Sequence, residues 1–373
     1  MNILIVDNCA ETILQMSELL RQSGYQQLFT TINTEEAIQI IFSKDIDLLL
    51  IDVMLPNMVG IQACSKIRTM SKDKELIIIA TVHSEFSSEE IIQEALDAGA
   101  NDFLRKPLTK IELIARISLA EKGYQEKIKR KTFELQFEED LLLAKNFQRG
   151  VLTPDVVNKE VNMRSYYDPC ANVGGDMYCW HKINDHQYGV MIYDVMGHGI
   201  ASSLVNMSIY SLTKSIITRL QKPDLVMKEL NRQVYFLLQQ GNSMDIYFVT
   251  GTYLLIDRKK NTISYANAGH PIGYLFYSTD DVHLLKPTAP FIGVVRVLPV
   301  EVKEVELKVN SRIILYTDGL KDYLNVSYDE LEQLFREALD NREDSFIKTF
   351  TQSNDLSAKI KKDDICLLSL LIK

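Results

Sequence analysis

The sequence has one tryptophan and only five cysteines in 373 residues. Cys9, Cys64, Cys170, Cys179 and Cys366 are odd in number and scattered, and no two form a C-x-x-C pair. That argues against a disulfide framework and a structural zinc site, and fits a reducing cytosol. Basic charge does not prevail either. Lys and Arg number 41 against 50 Asp and Glu, a net charge of −9, which is a poor balance for broad binding to a phosphate backbone. No apolar run nears the ~18 residues that would cross a bilayer. The opening Met1-Asn2-Ile3-Leu4-Ile5-Val6-Asp7 lacks a basic region and reads as a buried strand rather than a signal peptide. These absences point to a soluble, cytoplasmic protein with no membrane partner and no nucleic acid. What remains is ordinary globular composition, 46% hydrophobic and 24% charged. At roughly 100–200 residues per domain the length suggests two domains or three.

Residues 1–120 alternate short apolar β-rich runs with amphipathic stretches. The runs are Ile3–Val6, Leu28–Thr31, Leu48–Ile51 and Leu76–Ala80; the helical stretches include Ala10–Gln22 and Glu89–Ala98. Continuous apolar strands separated by helices imply a parallel sheet covered on both faces, hence a doubly wound α/β domain. Ligands of such a domain sit at the carboxyl ends of its strands.

Residues 108–152 read as a helical stretch, and 121–154 as the helical linker that overlaps it. Ile114, Ile117, Tyr124, Ile128, Leu135 and Leu142 share one heptad frame, interrupted by Glu121, Lys131 and Glu138. The pattern predicts a long helix able to pair in part as a coiled coil, giving a homodimer. The alternative is a solvated spacer helix. The basic stretch 127–131 reads as a charged helix face.

Residues 155–373 change rhythm. Strands are expected over Gly189–Tyr193, Tyr247–Ile256, Ile263–Ala266, Gly273–Tyr277, Arg312–Tyr316 and Cys366–Ile372, with helical blocks near Ile200–Leu220 and Pro223–Gln240. That order predicts antiparallel sheets with helices outside, an α+β sandwich.

Two constellations carry chemistry. In the first domain Asp7 and Asp52 end strands, Thr81 ends a third, and Lys106 follows a fourth, just before Pro107. Paired carboxylates hold a hard cation such as Mg²⁺, and a carboxylate attacks phosphorus to give an acyl phosphate. A lysine ammonium neutralises the phosphoryl charge, and a hydroxyl reports its arrival. With Pro56 and Gly60 at their spacings, residues 1–120 resemble a response-regulator receiver domain, a doubly wound five-stranded parallel sheet. The resemblance implies Asp52 as phosphoacceptor, Thr81 and Phe103 as switch residues with Lys106, and Mg²⁺ held by Asp7, Asp52 and Met54. One departure is Asn8, where the family usually has a second acid; a neutral amide there implies weaker Mg²⁺ binding.

In the second domain, acids far apart in sequence stand beside glycine turns or strand ends. They are Asp176 after Gly174-Gly175, Asp194 before Val195-Met196-Gly197-His198-Gly199, Asp318 in Tyr316-Thr317-Asp318-Gly319, and Asp363-Asp364 before the last strand. Each alone reads as a turn. Together they could hold two divalent ions about 3.5–4 Å apart, an arrangement that activates water for in-line phosphoryl displacement. Oxygen-only ligands favour Mn²⁺ or Mg²⁺. With Ala268-Gly269-His270-Pro271 and the segment Leu143–Pro154, these residues resemble metal-dependent serine/threonine phosphatases of the PPM (PP2C) class, in the SpoIIE/RsbU branch. The resemblance implies that Asp176, Asp194, Asp318 and Asp363 form the metal and catalytic set with the Val195 carbonyl. Asp364 is the close alternative to Asp363. The branch often carries a further acid where Cys179 stands. His270 reads as structural, and His198 as either structural or a contact behind the ligands.

The expected whole is therefore an α/β receiver joined by a long helix to an α+β phosphatase sandwich. It resembles stress-response phosphatases of bacilli. That implies a sensor histidine kinase as phosphodonor and a phosphoserine STAS-domain anti-anti-sigma protein as substrate, whose dephosphorylation frees a general-stress sigma factor. A catalytically inactive adaptor and a DNA-binding regulator are the other readings. The intact acids speak against the first, and the missing recognition helix against the second.

Overall fold

The structure, a computed structural model, describes residues 1–55, 60–70, 76–239, 248–339, 346–356 and 361–373. Pro56, Gln240 and Tyr247, used above, lie outside the described residues. The chain divides into two compact units, Met1–Phe137 and Glu138–Lys373.

The first unit runs β1 (Ile3–Val6), α1 (Ala10–Gln22), β2 (Leu28–Thr31), α2 (Thr34–Ser43), β3 (Leu48–Asp52), α3 (Gly60–Met70), β4 (Ile77–His83), α4 (Glu89–Asp97), β5 (Asp102–Lys106) and into α5 (Lys110–Val151). Its strands pair in parallel in the order β2-β1-β3-β4-β5. Side chains alternate between two cores, as a strand's period of two requires. Leu4, Val6, Leu49 and Ile51 meet Ala37, Ile41, Ala63 and Ile67 from α2 and α3. Ile3, Ile5, Leu48 and Leu50 meet Ile13, Met16 and Leu20 from α1. The strand order reverses at β1, which places the ends of β1 and β3 side by side. Two strand ends differ from expectation. β4 continues to His83, because Thr81 and the buried Val82 keep the ladder with β5, so Thr81 lies inside the strand. Lys106 is the last residue of β5 rather than the first beyond it.

Helix α5 is 42 residues long and carries both the last helix of the first unit and the stretch read as linker. Leu113 and Ile117 are fully buried in the first unit's core, with Ile114 packed beside them. The first positions of the heptad frame are thus occupied within their own unit. Ile128, Leu135 and Leu142 further along are exposed.

The second unit continues with β6 (Val156–Val157), β7 (Val161–Asp168), β8 (Asp176–Lys182), β9 (Gln187–Val195), α6 (Ile200–Leu220), α7 (Pro223–Gln239), β10 (Val249–Asp257), β11 (Thr262–Ala268), β12 (Gly273–Phe276), β13 (Val282–Leu285), β14 (Lys303–Glu306), β15 (Arg312–Tyr316), α8 (Asp318–Leu324), α9 (Tyr328–Ala338), α10 (Phe346–Ser353) and β16 (Ile365–Ile372). Two antiparallel sheets form, ordered β14-β11-β10-β9-β8 and β13-β12-β15-β16-β7-β6. Tyr178, Trp180, Val190, Ile192, Ile313, Leu315, Cys366 and Leu368 fill the space between them. The opposite face of the first sheet, through Met177, Cys179, Met191 and Tyr193, meets Ile209, Ile217, Met227 and Leu230 of α6 and α7. The opposite face of the second, through Ile314, Tyr316, Ile365 and Leu367, meets Leu320, Leu331, Phe335 and Phe350 of α8–α10. Helices α8–α10 lie outside the helical blocks expected: at 7, 11 and 8 residues none exceeds the shortest window, about 11 residues, in which helical periodicity shows. Five strands lie outside those expected: β6, β13 and β14 are only two to four residues long, and in β7 and β8 polar and aromatic residues blur the alternation.

Gly319 opens α8 where a Cβ would stand 2.0 Å from the Asp364 carbonyl oxygen. Gly319→Ala is expected to force β15 and β16 apart at this end and to destabilise the second unit by about 1–3 kcal/mol, as overpacking does. A lowered urea midpoint with an unchanged slope would show it.

Candidate functional sites

In the first unit β1, β3 and β5 end side by side. Lys106 Nζ lies 2.5 Å from Asp7 Oδ2 and 2.7 Å from Asp52 Oδ2, a buried ammonium bridging two buried carboxylates. The other oxygen of each acid is also taken: Cys9 N–H donates to Asp7 Oδ1 (2.9 Å) and Met54 N–H to Asp52 Oδ1 (3.0 Å). Thr81 stands beside Asp52 in the β3–β4 ladder; its hydroxyl is buried and has no hydrogen-bond partner among the described residues. Phe103 is half-buried with the Arg105 guanidinium 5.6 Å from its ring centre. Asn8 turns its amide nitrogen, not its oxygen, to the Met54 carbonyl at 3.4 Å, since only a donor complements that oxygen. Two carboxylates and a main-chain carbonyl, all hard oxygen donors, suit Mg²⁺.

In the second unit the same alternation that fills the sandwich places its acids. Asp176 and Asp194 continue the inward-facing series of β8 and β9 and stand directly opposite each other in the ladder. Asp318 follows β15, and Asp363 and Asp364 precede β16, the neighbouring strand. All five therefore meet at one end of the space between the sheets. Burial raises the pKa of Asp176 far above the carboxylate range, and the charges of Asp194, Asp364 and Asp318 add to it. Burial pushes Asp194 up to about 7, with Asp318 its strongest like-charged neighbour. Asp318 and Asp363 are raised too, by burial first and then by acidic neighbours. Asp176 Oδ2 is buried with no hydrogen-bond partner among the described residues. Among the described residues no three His, Cys, Asp or Glu side chains close into one metal-holding cage; the acids form a row in which each makes its neighbours harder to ionise. An orphaned carboxylate oxygen within such a row fits divalent cations bound through oxygen.

Asp363 and Asp364 differ sharply. Asp364 is buried, and its two oxygens accept from Cys170 N–H (2.8 Å) and Gly175 N–H (2.6 Å). Asp363 is half-buried; its Oδ1 accepts from Asp364 N–H, and the charge of exposed His198 acts on it. The turn before Asp176 fits closely: a Cβ on Gly175 would lie 2.7 Å from the Val195 carbonyl and 2.9 Å from that of Gly197. Gly197 and Gly199 have φ of +88° and +86°, which glycine alone adopts readily. His270 is buried, bonded to the Thr250 hydroxyl at 2.8 Å, and burial lowers its pKa to about 3, so it is neutral and a poor proton donor. Cys179 lies wholly in the core under α6, its thiol pushed up to about 12 by burial.

Two residues make contacts that motif reading does not give, although Gln148 lies within the segment Leu143–Pro154. Gln148, on the last turn of α5, grips Gly174 by both main-chain groups, donating to its carbonyl (2.8 Å) and accepting from its N–H (3.0 Å). Asn206 of α6 reaches the same turn. The available signal is a polar side chain on the buried face of a helix, and it is weak in a sequence alone.

A parallel doubly wound sheet with two acids and a lysine at its strand ends and an antiparallel sandwich with acids at one end define a receiver joined to a PP2C-type domain. Residues 3–118 match the family "Response regulator receiver domain" and residues 184–373 the family "Stage II sporulation protein E (SpoIIE)". The chain belongs to the SpoIIE family. Asp176 and its turn precede the matched segment. The chain is 38% identical over 190 residues to phosphoserine phosphatase RsbP of Bacillus subtilis, covering 51% of this chain and 47% of that protein. It is 25% identical over 203 residues to phosphoserine phosphatase RsbU of the same species, covering 54% and 58%. It thus spans about half the length of the curated relatives it matches. In fold it is similar to the SiaA-PP2C domain of Pseudomonas aeruginosa, with a TM-score of 0.52 at 19% identity over 64% of this chain and 98% of that one. No helix among the described residues is long and apolar enough to cross a membrane.

The raised acids fix a sign. The folded second unit holds protons that the unfolded chain has released between the ordinary value of 3.8 and about 7. Without divalent cations its stability should therefore fall as pH rises through that window. Asp194→Asn is expected to raise the cation-free melting midpoint above the window by about 4–8 °C, what roughly 2 kcal/mol of relieved repulsion gives a unit this size. Calorimetry across pH checks both.

Proposed function

We propose that this chain is a metal-dependent protein phosphoserine phosphatase whose activity is set by phosphorylation of Asp52. The observation that carries the reading is the row of acids from four separate segments at one sandwich end, with Asp176 Oδ2 buried and unpartnered. The phosphoserine phosphatases RsbP and RsbU among its relatives support it. On this reading Asp176, Asp194, Asp318 and Asp363 hold two Mn²⁺ or Mg²⁺ ions with the Val195 carbonyl, and Asp364 instead fixes the Gly174-Gly175 turn through its two N–H bonds. Such ions, when bound, lower the pKa of water and offset phosphoryl charge. The chain's own work is to hold the carboxylates in place and spaced for the cations, and to leave that end of the sandwich open to a phosphoserine side chain.

In the receiver, Asp52 takes a phosphoryl group from a sensor histidine kinase, with Mg²⁺ at Asp7, Asp52 and the Met54 carbonyl. Lys106 is placed to neutralise the phosphoryl oxygens, and the unpaired Thr81 hydroxyl to receive one. The shift passes along α5, whose exposed apolar positions also suit pairing with a second copy of the chain, and ends at Gln148 on Gly174. A coupling of about 1–3 kcal/mol would suffice. The substrate is a small phosphoserine STAS-domain anti-anti-sigma protein, and the output is release of a general-stress sigma factor in the cytoplasm.

Mn²⁺-dependent phosphate release from such a phosphoserine protein tests this. Asp318→Asn should lower the rate on the order of 100-fold, as loss of a charge-stabilising group does, and beryllofluoride on the receiver should raise the wild-type rate. Rates indifferent to beryllofluoride would remove the gate; no release from an authenticated substrate would leave an adaptor. Gln148→Leu, which strips both bonds from Gly174, is expected to depress activity while leaving Asp52 phosphorylation intact, as radiolabel transfer would show.

A further inference from the structure

We propose that Asn206 is a positioning residue that sets the spacing of Asp176 and Asp194 and so the strength with which that pair holds a divalent cation. The inference rests on the metal-dependent reading above and deepens it.

Asn206 is fully buried on α6. Its Nδ2 lies 3.2, 2.9 and 2.7 Å from the carbonyl oxygens of Gly174, Gly175 and Asp176. An amide nitrogen carries two hydrogens, so one side chain serves three successive carbonyls by sharing. On its other side, Asn206 Oδ1 accepts from the Tyr193 hydroxyl at 3.2 Å, and the Asn206 carbonyl lies 3.4 Å from that hydroxyl. Tyr193 is fully buried and immediately precedes Asp194 on β9, its ring on the face opposite the acids. Asn206 therefore ties the start of β8, which carries Asp176, to the strand that carries Asp194.

That tie sits at a turn whose sequence is intrinsically free. Two consecutive glycines precede Asp176, and glycine has the most conformational freedom to lose. Asp176 and Asp194 face each other across the ladder. The neighbouring ladder bond, Val195 N–H to the Gly175 carbonyl, is 3.2 Å. Asn206 fixes this end of β8 to β9 from the helix side. A side chain that merely satisfied buried carbonyls would affect folding alone. One that sets the carboxylate spacing affects cation affinity in protein that is already folded.

The test titrates the full chain with Mn²⁺ alone, following free Mn²⁺ by electron paramagnetic resonance, with circular dichroism confirming the fold. Asn206→Ala should weaken Mn²⁺ binding by about 10–100-fold, the range seen when partners behind metal ligands are removed. Its KM for phosphoprotein should hold at saturating Mn²⁺ while the Mn²⁺ needed for half-maximal kcat rises by the same factor. Tyr193→Phe removes only the hydroxyl that braces Asn206 and should shift affinity the same way by less. Wild-type Mn²⁺ affinity in folded Asn206→Ala, or in Tyr193→Phe where Asn206→Ala fails to fold, overturns the inference and leaves the phosphatase reading standing. A wild-type chain that binds no Mn²⁺ overturns both.

Discussion

The cost of ionising carboxylates closed into one end of a sandwich is the constraint around which the second unit is built. Burial strips water from these groups, so each raises the cost of ionising the next. Among the described residues no lysine or arginine pairs with Asp176, Asp194, Asp318 or Asp363. The receiver answers the same problem in part: Lys106 stands between Asp7 and Asp52 and offsets one of their two charges in place. One site carries part of its counter-charge in the sequence, and the other is left in need of all of it. The polar clamps around Gly174 and Gly175, from Gln148, Asn206 and Asp364, are the scaffolding that holds such a need open.

On the proposed reading, regulation exploits this arrangement economically. A turn under electrostatic load needs little bias to change its geometry, and Gln148 reaches it from the last turn of α5. Because Gln148 binds both groups of one glycine, losing its alignment breaks two bonds together, which makes the response steeper than a single contact would allow.

Much of this was legible in residues. The apolar runs of β1 and β3 are buried on both faces and could be little else, and Asp52 and Lys106 lie at strand ends where a doubly wound sheet gathers its ligands. α6 follows its expected bounds from Ile200 to Leu220. The heptad frame misled in part, because the same spacing that suits a partner helix also suits the receiver core, and Ile117 serves the latter. Short helices α8–α10 and the mixed strand β8 carry too little period to be seen. The polar clamps were invisible for another reason: hydrogen bonds between residues 26 and 189 positions apart, such as Gln148 to Gly174 and Gly175 to Asp364, leave no local pattern.

β16 shows what the paired acids do beyond charge. All eight of its residues are buried, and apolar side chains line both its faces. A strand of that kind could slide by one residue against its neighbours with little change in greasy contact, because alternation no longer distinguishes inside from outside. A slip would put Asp364 where Asp363 belongs. What forbids it is polar: the Ser369 hydroxyl receiving Arg312, and Asp364 receiving two main-chain N–H groups in a cleft with no spare room. The acid that holds no ion on this reading is thus the alignment pin that gives its neighbour an address.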